Sequence, residues 1–154
     1  MEQPKILIDN QQEKRIPSDI IRQKTRQILN ALDCNTHEIS IVLTDDDHIR
    51  ELNNRFRQID APTNVLAFPM QEGEFGDISP GLLGDLVISC ETAKKEAETA
   101  GITLEERMSQ LLVHGTLHLI GYDHETGETD AREMEDKSLE LLRVIEKNPA
   151  LSAF

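Results

Sequence analysis

Three of the five histidines lie close together, in the run His114-Gly-Thr-Leu-His118-Leu-Ile-Gly121-Tyr-Asp-His124. On a helix, His114 and His118 project from the same face one turn apart. Gly121 can adopt the left-handed conformation that ends a helix, which would bring His124 back toward the other two. Three neutral imidazoles leave the fourth position of a tetrahedral zinc ion open, as in catalytic rather than structural sites. The run therefore predicts one Zn²⁺ ion bound by His114, His118 and His124, able to activate water or polarise a substrate oxygen.

The spacing of these histidines equals that of the metzincin peptidases, H-E-x-x-H-x-x-G-x-x-H. The glutamate that serves as general base in those enzymes is replaced here by Gly115. A peptidase or small-molecule hydrolase therefore stays open as a hypothesis, but it would lack its usual base. Asp123 suits either a carboxylate that orients a histidine or an ordinary turn residue.

A second polar cluster lies between a predicted helix and a predicted strand, and it consists of Arg55, Arg57, Asp60, Pro62, Thr63 and Asn64. An arginine can grip a phosphate with two hydrogen bonds, and a hydroxyl and an amide can add others. Alternatively, the aspartate and proline shape a turn and the arginines are only solvated. The residue types favour neither interpretation over the other.

Other groups that could do chemistry have simpler interpretations. The acidic triplet at residues 45–47 could bind a divalent metal, but it fits the start of a helix better, where it would cap N–H groups. We expect His37 and His48 to be surface residues. Cys34 and Cys90 form no C-x-x-C motif, and they are predicted to be free thiols in a reducing cytoplasm rather than nucleophiles.

Strands alternate with helices along the chain and must position these groups. Strands are predicted at residues 5–8, 38–43, 64–68 and 84–89, with a loop at 71–83. Helices are predicted to begin near residue 17, after residues 44–47, at 91, at the capping box 103–106, and at 129. Residues 111–120 are apolar on nearly all sides, which indicates a central, buried, metal-binding helix. We predict a single α+β domain over residues 1–154, with a small, mostly four-stranded mixed sheet and about five helices.

Composition limits the possible functions. A chain of 154 residues with 38% hydrophobic and 29% charged residues fits a globular domain that needs no disulfides. We expect no signal peptide and no membrane span. The net charge of −13 argues against loose binding of nucleic acid over the whole surface, but it does not exclude an RNA substrate. One tyrosine, four phenylalanines and no tryptophan offer few platforms for base stacking, so strong base readout is not expected.

Three segments together resemble the YbeY endoribonuclease family: residues 52–68, residues 84–89 and the histidine run. They occur in the family's order, and the similarity spans most of the chain. The resemblance implies a single-strand-specific, metal-dependent endoribonuclease. It would act in ribosomal RNA maturation, notably at the 3′ end of the small-subunit RNA, and in ribosome quality control. It also implies that His114, His118 and His124 bind zinc and that Arg57 is the functional arginine.

Two hypotheses about the role of the metal follow. In the first, a phosphodiester is hydrolysed while Arg57 stabilises charge on the phosphate, with either water or the RNA 2′-hydroxyl as nucleophile. In the second, the protein is a ribosome-associated binding module whose zinc mainly stabilises the fold and whose acidic surface meets a basic protein. RNA and the small ribosomal subunit with its proteins are the expected partners in the cytoplasm.

Overall fold

The computed structural model describes residues 3–70, 81–122 and 127–154. Nine regular elements occur in these ranges: β1 (Lys5–Asn10), α1 (Ser18–Ala31), β2 (Glu38–Thr44), α2 (Asp46–Arg57), β3 (Val65–Pro69), β4 (Leu82–Ser89), α3 (Cys90–Ala100), α4 (Leu104–Leu119) and α5 (Glu128–Ile145). Their order is the predicted one. The predicted loop at residues 71–83 needs correction at its end, because Leu82 and Leu83 belong to β4 and Leu82 pairs with Glu38 of β2. Its residues 71–80 lie outside the described ranges.

The four strands form one mixed sheet in the order β1-β2-β4-β3. β1, β2 and β4 are parallel, while β3 runs antiparallel to β4 at the edge, with Ala67 opposite Leu86. Pro69 ends β3 on this edge strand, a position that tolerates a residue without a backbone N–H. The predicted α+β class with a four-stranded mixed sheet and five helices is confirmed.

The two faces of the sheet bury apolar side chains unequally. Alternate residues of β2, such as Ile39 and Ile41, are fully buried in the main core, which α1, α3, α4 and α5 also line. Val42, the residue after Ile41, points to the other face and packs in a much smaller cluster with Ile49 of α2 and Leu66 of β3. α4 is therefore held in the main core, whereas α2 covers a small apolar patch.

α4 is the central buried helix that the sequence predicts. Its start is fixed by the predicted capping box, in which Thr103 and Glu106 satisfy each other's backbone N–H groups. Gly115 faces the sheet, and a Cβ at this residue would lie 2.7 Å from Cδ2 of Leu86, which is fully buried. The glycine therefore allows α4 to approach β4 more closely than any residue with a side chain would.

The acidic triplet fixes the start of α2. Asp45 caps the helix by accepting a backbone N–H of the first turn at 2.9 Å. The carboxylate of Asp46 accepts hydrogen bonds from the hydroxyls of Ser89 and Thr92 at 2.6 and 2.5 Å. Burial opposes ionisation of Asp46, but these bonds and Lys95 outweigh it and lower the pKa of the carboxyl. The helix-start interpretation is confirmed for Asp45, which caps the helix, and for Asp46, which lies in its first turn.

The remaining histidines are less exposed than predicted. His48 is half-buried, with Nδ1 2.8 Å from the Thr44 hydroxyl, and His37 is half-buried too, so both lie at the surface but are partly covered by neighbouring groups. Cys34 and Cys90 are free thiols, as predicted, and both are buried. Burial raises the pKa of Cys90 to about 11, which disfavours a thiolate nucleophile. No helix in the described ranges has both the length and the apolar character to cross a bilayer.

Candidate functional site

His114 and His118 face each other on the last two turns of α4. Their Nε2 atoms are 3.2 Å apart, and both side chains are half-buried. The helix ends at Leu119, and Gly121 follows with φ of +108°, so the predicted helix end at this glycine is confirmed. His124 and Asp123 lie outside the described residues, so the third ligand stays a prediction.

The separation of the two imidazole nitrogens can be compared with zinc geometry. At Zn–N distances of about 2.0–2.1 Å and tetrahedral angles, two ligand nitrogens lie about 3.3 Å apart. The observed 3.2 Å fits two ligands of one ion. Residues 3–70, 81–122 and 127–154 contain no group of three His, Cys, Asp or Glu side chains suited to a metal, so the predicted site depends on His124.

The two histidines line a cavity of about 590 Å³ between α4 and the edge strand β3. This volume lies in the usual range for ligand sites, ~300–1,000 Å³. The described lining residues are Arg57, Thr63, Asn64, Val65, Leu66, Ala67, Pro69, His114, Gly115, His118, Gly121, Tyr122 and Phe154. The fold thus brings half of the second polar cluster, namely Arg57, Thr63 and Asn64, into the same cavity as the histidine pair.

Arg57 is held at the cavity edge as the last residue of α2. Its Nη2 donates to the carbonyl of Ala67 at 2.9 Å, and its guanidinium lies 5.3 Å from the centroid of the Phe68 ring. The side chain is exposed. Because a guanidinium has five N–H donors, this anchoring leaves most of them available to an anion in the cavity.

The other members of the polar cluster have different surroundings. Asp60 forms a two-point ion pair with Arg50, at 2.8 and 3.2 Å, which lowers the pKa of the aspartate. Asn64 lines the cavity, but its amide donates to both carboxylate oxygens of Glu96, at 3.2 Å each. Arg55 lies over the ring of Phe56, outside the cavity lining. Arg57 and Thr63 are thus the members of the cluster best placed to meet a phosphate.

Comparison with known proteins identifies the family. The chain matches the model of the endoribonuclease YbeY family over residues 7–146. A protein of Geobacter sulfurreducens named endoribonuclease YbeY is 46% identical over 144 residues, 92% of this chain and 96% of that relative. The chain belongs to the endoribonuclease YbeY family.

Further relatives agree with this assignment. An endoribonuclease YbeY of Aquifex aeolicus is 46% identical over 132 residues, 84% of this chain and 86% of the relative. The solution structure of a Thermotoga maritima protein superposes with a TM-score of 0.64 at 27% identity, covering 92% of this chain and 88% of that one. The predicted endoribonuclease activity, a hydrolase activity, is therefore confirmed. A peptidase is further disfavoured because Gly115 has no space for a catalytic side chain beside Leu86.

One residue of the site in this YbeY-family chain was missed by sequence reasoning. The ring of Phe154 stacks on His114, with centroids 3.9 Å apart and planes at 30°. The guanidinium of Arg107, which pairs with Glu96 at 3.0 Å, lies 5.1 Å from the same ring. Gln110 holds the segment by donating to the carbonyl of Ser152 at 2.9 Å. A phenylalanine thirty or more residues beyond the histidine run has no local pattern that would predict this contact.

Proposed function

We propose that this endoribonuclease cleaves single-stranded RNA in a metal-dependent reaction in the cytoplasm. It would act in maturation of the 3′ end of the small-subunit ribosomal RNA and in ribosome quality control, in contact with the small subunit and its proteins. The observation that supports the chemistry is the shared cavity, in which His114 and His118 face the same space as Arg57. The ribosomal substrate rests on the family resemblance.

His114, His118 and His124 would hold one Zn²⁺ ion. The 3.2 Å separation of the first two imidazole nitrogens supports this assignment, and their position on the buried helix would keep that separation fixed. When bound, the zinc would supply a Lewis acid for a phosphoryl oxygen and a means of activating the nucleophile.

Arg57 would bind the scissile phosphate. Its planar guanidinium suits two phosphate oxygens at once, and the bond to the Ala67 carbonyl already restricts its rotamers. It would stabilise the negative charge that increases on the phosphate in the transition state. The hydroxyl of Thr63, on the same wall of the cavity, can donate a further hydrogen bond.

The nucleophile is either water or the RNA 2′-hydroxyl. Gly115 provides no base, and the described residues that line the cavity include no carboxylate. Attack by the 2′-hydroxyl leaves a cyclic phosphate, whereas attack by water leaves a linear one. Identifying the product ends by mass spectrometry therefore distinguishes the two routes.

The central experiment combines metal analysis with RNA cleavage. The purified protein is assayed on an end-labelled single-stranded RNA and on the same RNA annealed to its complement, before and after treatment with a chelator. We expect cleavage of the single strand only, loss of cleavage with the metal, and recovery when zinc is returned. Full cleavage by protein shown to be metal-free would contradict the proposal.

The ribosomal role requires a cellular experiment. Cells depleted of the protein should accumulate small-subunit RNA extended at its 3′ end, and the parent chain should restore its processing. Arg57→Ala should fail to do so, while Arg50→Ala, which removes an arginine paired with Asp60 outside the cavity, should succeed. Normal 3′ ends in depleted cells would contradict this role.

A further inference from the structure

A surface strip of two phenylalanines, each with an arginine beside it, leads away from the cavity. It consists of Arg55, Phe56, Phe68 and Arg57. The Phe56 and Phe68 rings meet edge to face, with centroids 5.4 Å apart, and each has an arginine guanidinium within 5.5 Å of its centroid. Arg57 lines the cavity, whereas Phe56, at the other side of the strip, is 52% exposed. The strip therefore connects the candidate active site with open surface.

The strip is also distinguished by its charge. Within the part of the chain that the structure describes, neither Arg55 nor Arg57 forms an ion pair. Arg50, on the same helix, is paired with Asp60, and Arg107, on the Phe154 side of the cavity, is paired with Glu96. In a chain of net charge −13, the strip presents two arginines without paired carboxylates beside the cavity. Such a place attracts a polyanion.

We infer that this strip binds the RNA strand next to the scissile phosphate, with Phe56 stacking on a base and Arg55 contacting a backbone phosphate. The inference rests on the proposed function. Exposed aromatic rings stack on unpaired bases of any sequence, and arginines beside them neutralise phosphates. A duplex keeps its bases inside the stack and cannot use such a ring. The strip would thereby contribute to the preference for single strands without reading sequence.

A protein partner is the competing occupant, because exposed Phe56 and Ile59 also offer apolar area. Two features favour RNA. The strip is continuous with the cavity through Arg57, and its two arginines can neutralise the phosphates of a strand that leaves the cavity.

Cleavage kinetics of the zinc-loaded protein test the inference. For a single-stranded RNA long enough to cross the strip, Phe56→Ala should raise KM about tenfold while kcat stays at the parental value, as expected for loss of one stacked base. Phe56→Leu keeps apolar volume but loses the ring, and it should raise KM similarly. Val144→Ala removes another exposed apolar side chain, 56% exposed on α5, and should leave KM unchanged.

The salt dependence of cleavage tests separately whether Arg55 contacts a backbone phosphate. Arg55→Gln should reduce the slope of log(kcat/KM) against log salt by about 0.7, the value for one phosphate contact on a single strand. Arg50→Gln is the matched control, since it removes the same charge from the same helix at a residue already paired with Asp60. Its slope should equal that of the parent.

The outcomes separate the strip from the proposed function. If both Phe56 variants have the KM of the parent and Arg55→Gln has its salt slope, the strip does not bind RNA. Cleavage by the parent would still support the proposed function in that case. If the parent does not cleave RNA, fluorescence anisotropy with the same labelled strand still decides the strip. RNA binding by the strip is supported if the Phe56 and Arg55 variants bind the strand more weakly than the parent while Val144→Ala and Arg50→Gln bind it equally well. Equal binding by all variants would overturn the inference.

Discussion

The cavity is built by two helices that are held in place in different ways. α4, which presents His114 and His118, buries ten residues, most of them apolar, and approaches the sheet at Gly115. α2, which presents Arg57, buries only Ile49 and Asn53. Polar bonds hold its two ends. At the start, the Asp46 carboxylate accepts a hydrogen bond from Ser89. At the end, Asn53 donates to the Ala61 carbonyl and Arg57 to the Ala67 carbonyl.

This difference would match the demands of the two proposed ligands, a metal ion on α4 and an RNA strand at the end of α2. A metal ion requires fixed distances between its ligands, and a buried helix provides them. An RNA strand varies in sequence and conformation, and an exposed helix end with long side chains can adjust to it. We therefore expect substitutions on α4 to affect the metal or the fold, and substitutions at the end of α2 to affect RNA handling alone.

The largest expected effect is at α4, the helix proposed to bind the metal. His118→Ala should lose the metal and reduce cleavage by on the order of 10³-fold or more, because the proposed metal would supply several kcal/mol of transition-state stabilisation. His118 is half-buried at the cavity, so the chelated parent and the variant should melt alike. Metal analysis, cleavage rates and melting curves provide the comparison. A collapsed fold in the variant would indicate a mainly structural metal.

Arg57→Ala tests the other helix. Cleavage should fall by about 10²–10³-fold, as for removal of a donor to transition-state charge. Metal content should be parental, and the free energy of unfolding should change by no more than about 0.5 kcal/mol, as for other exposed residues. Arg57→Lys should restore only part of the rate, since an ammonium lacks the planar fork. Undiminished cleavage in Arg57→Ala would exclude this role.

Gly115→Ala tests the close approach of α4 to the sheet. The added Cβ would lie 2.7 Å from Leu86, so the variant should lose about 1–3 kcal/mol of unfolding free energy through overpacking. Urea denaturation measures this loss. The same substitution in a Leu86→Ala background should cost less, because the contact is absent. Equal costs in both backgrounds would show that Leu86 does not set the approach.

The smallest expected effect concerns the polar anchor of α2. The pKa of Asp46 is lowered in the folded chain, so its ionised form stabilises the fold above the pKa of unfolded aspartate, and this contribution disappears as pH falls through the folded pKa. Asp46→Asn should cost about 1 kcal/mol near neutral pH. The deficit should begin to shrink below about pH 4, where the unfolded chain takes up the proton, and should disappear at lower pH, once the folded chain is protonated as well. Asp47→Asn, at an exposed neighbour, is the control for urea denaturation at both pH values, and it should show a smaller deficit.

Sequence reasoning succeeded where the determinants are local. The capping box at Thr103 and Glu106, the buried character of α4 and the i, i+4 pairing of His114 with His118 all follow from residues within a few turns of one another. Arg57 was named through the family resemblance. That it shares a cavity with the histidines depends on β3 returning antiparallel at the sheet edge, an arrangement that no short segment encodes.

The errors and omissions have the same physical origin. His37 and His48 were predicted to be surface residues, and the partial cover that half-buries them was not predicted. Phe154 contacts His114 across a long sequence separation, and Asn64 is engaged by Glu96 of another helix. Each of these contacts is decided by tertiary packing, which composition and periodicity do not report.

The contact between residue 115 and Leu86 also limits how such a protein can diverge. A glutamate at residue 115 would give the histidine run the base of a peptidase, but Leu86 fills the space that its Cβ requires. A smaller residue at 86 would make room, yet by itself it would leave a void costing about 2–5 kcal/mol. Either change alone therefore lowers the free energy of unfolding. A glutamate at residue 115 of this histidine run would fit only together with a smaller residue at 86.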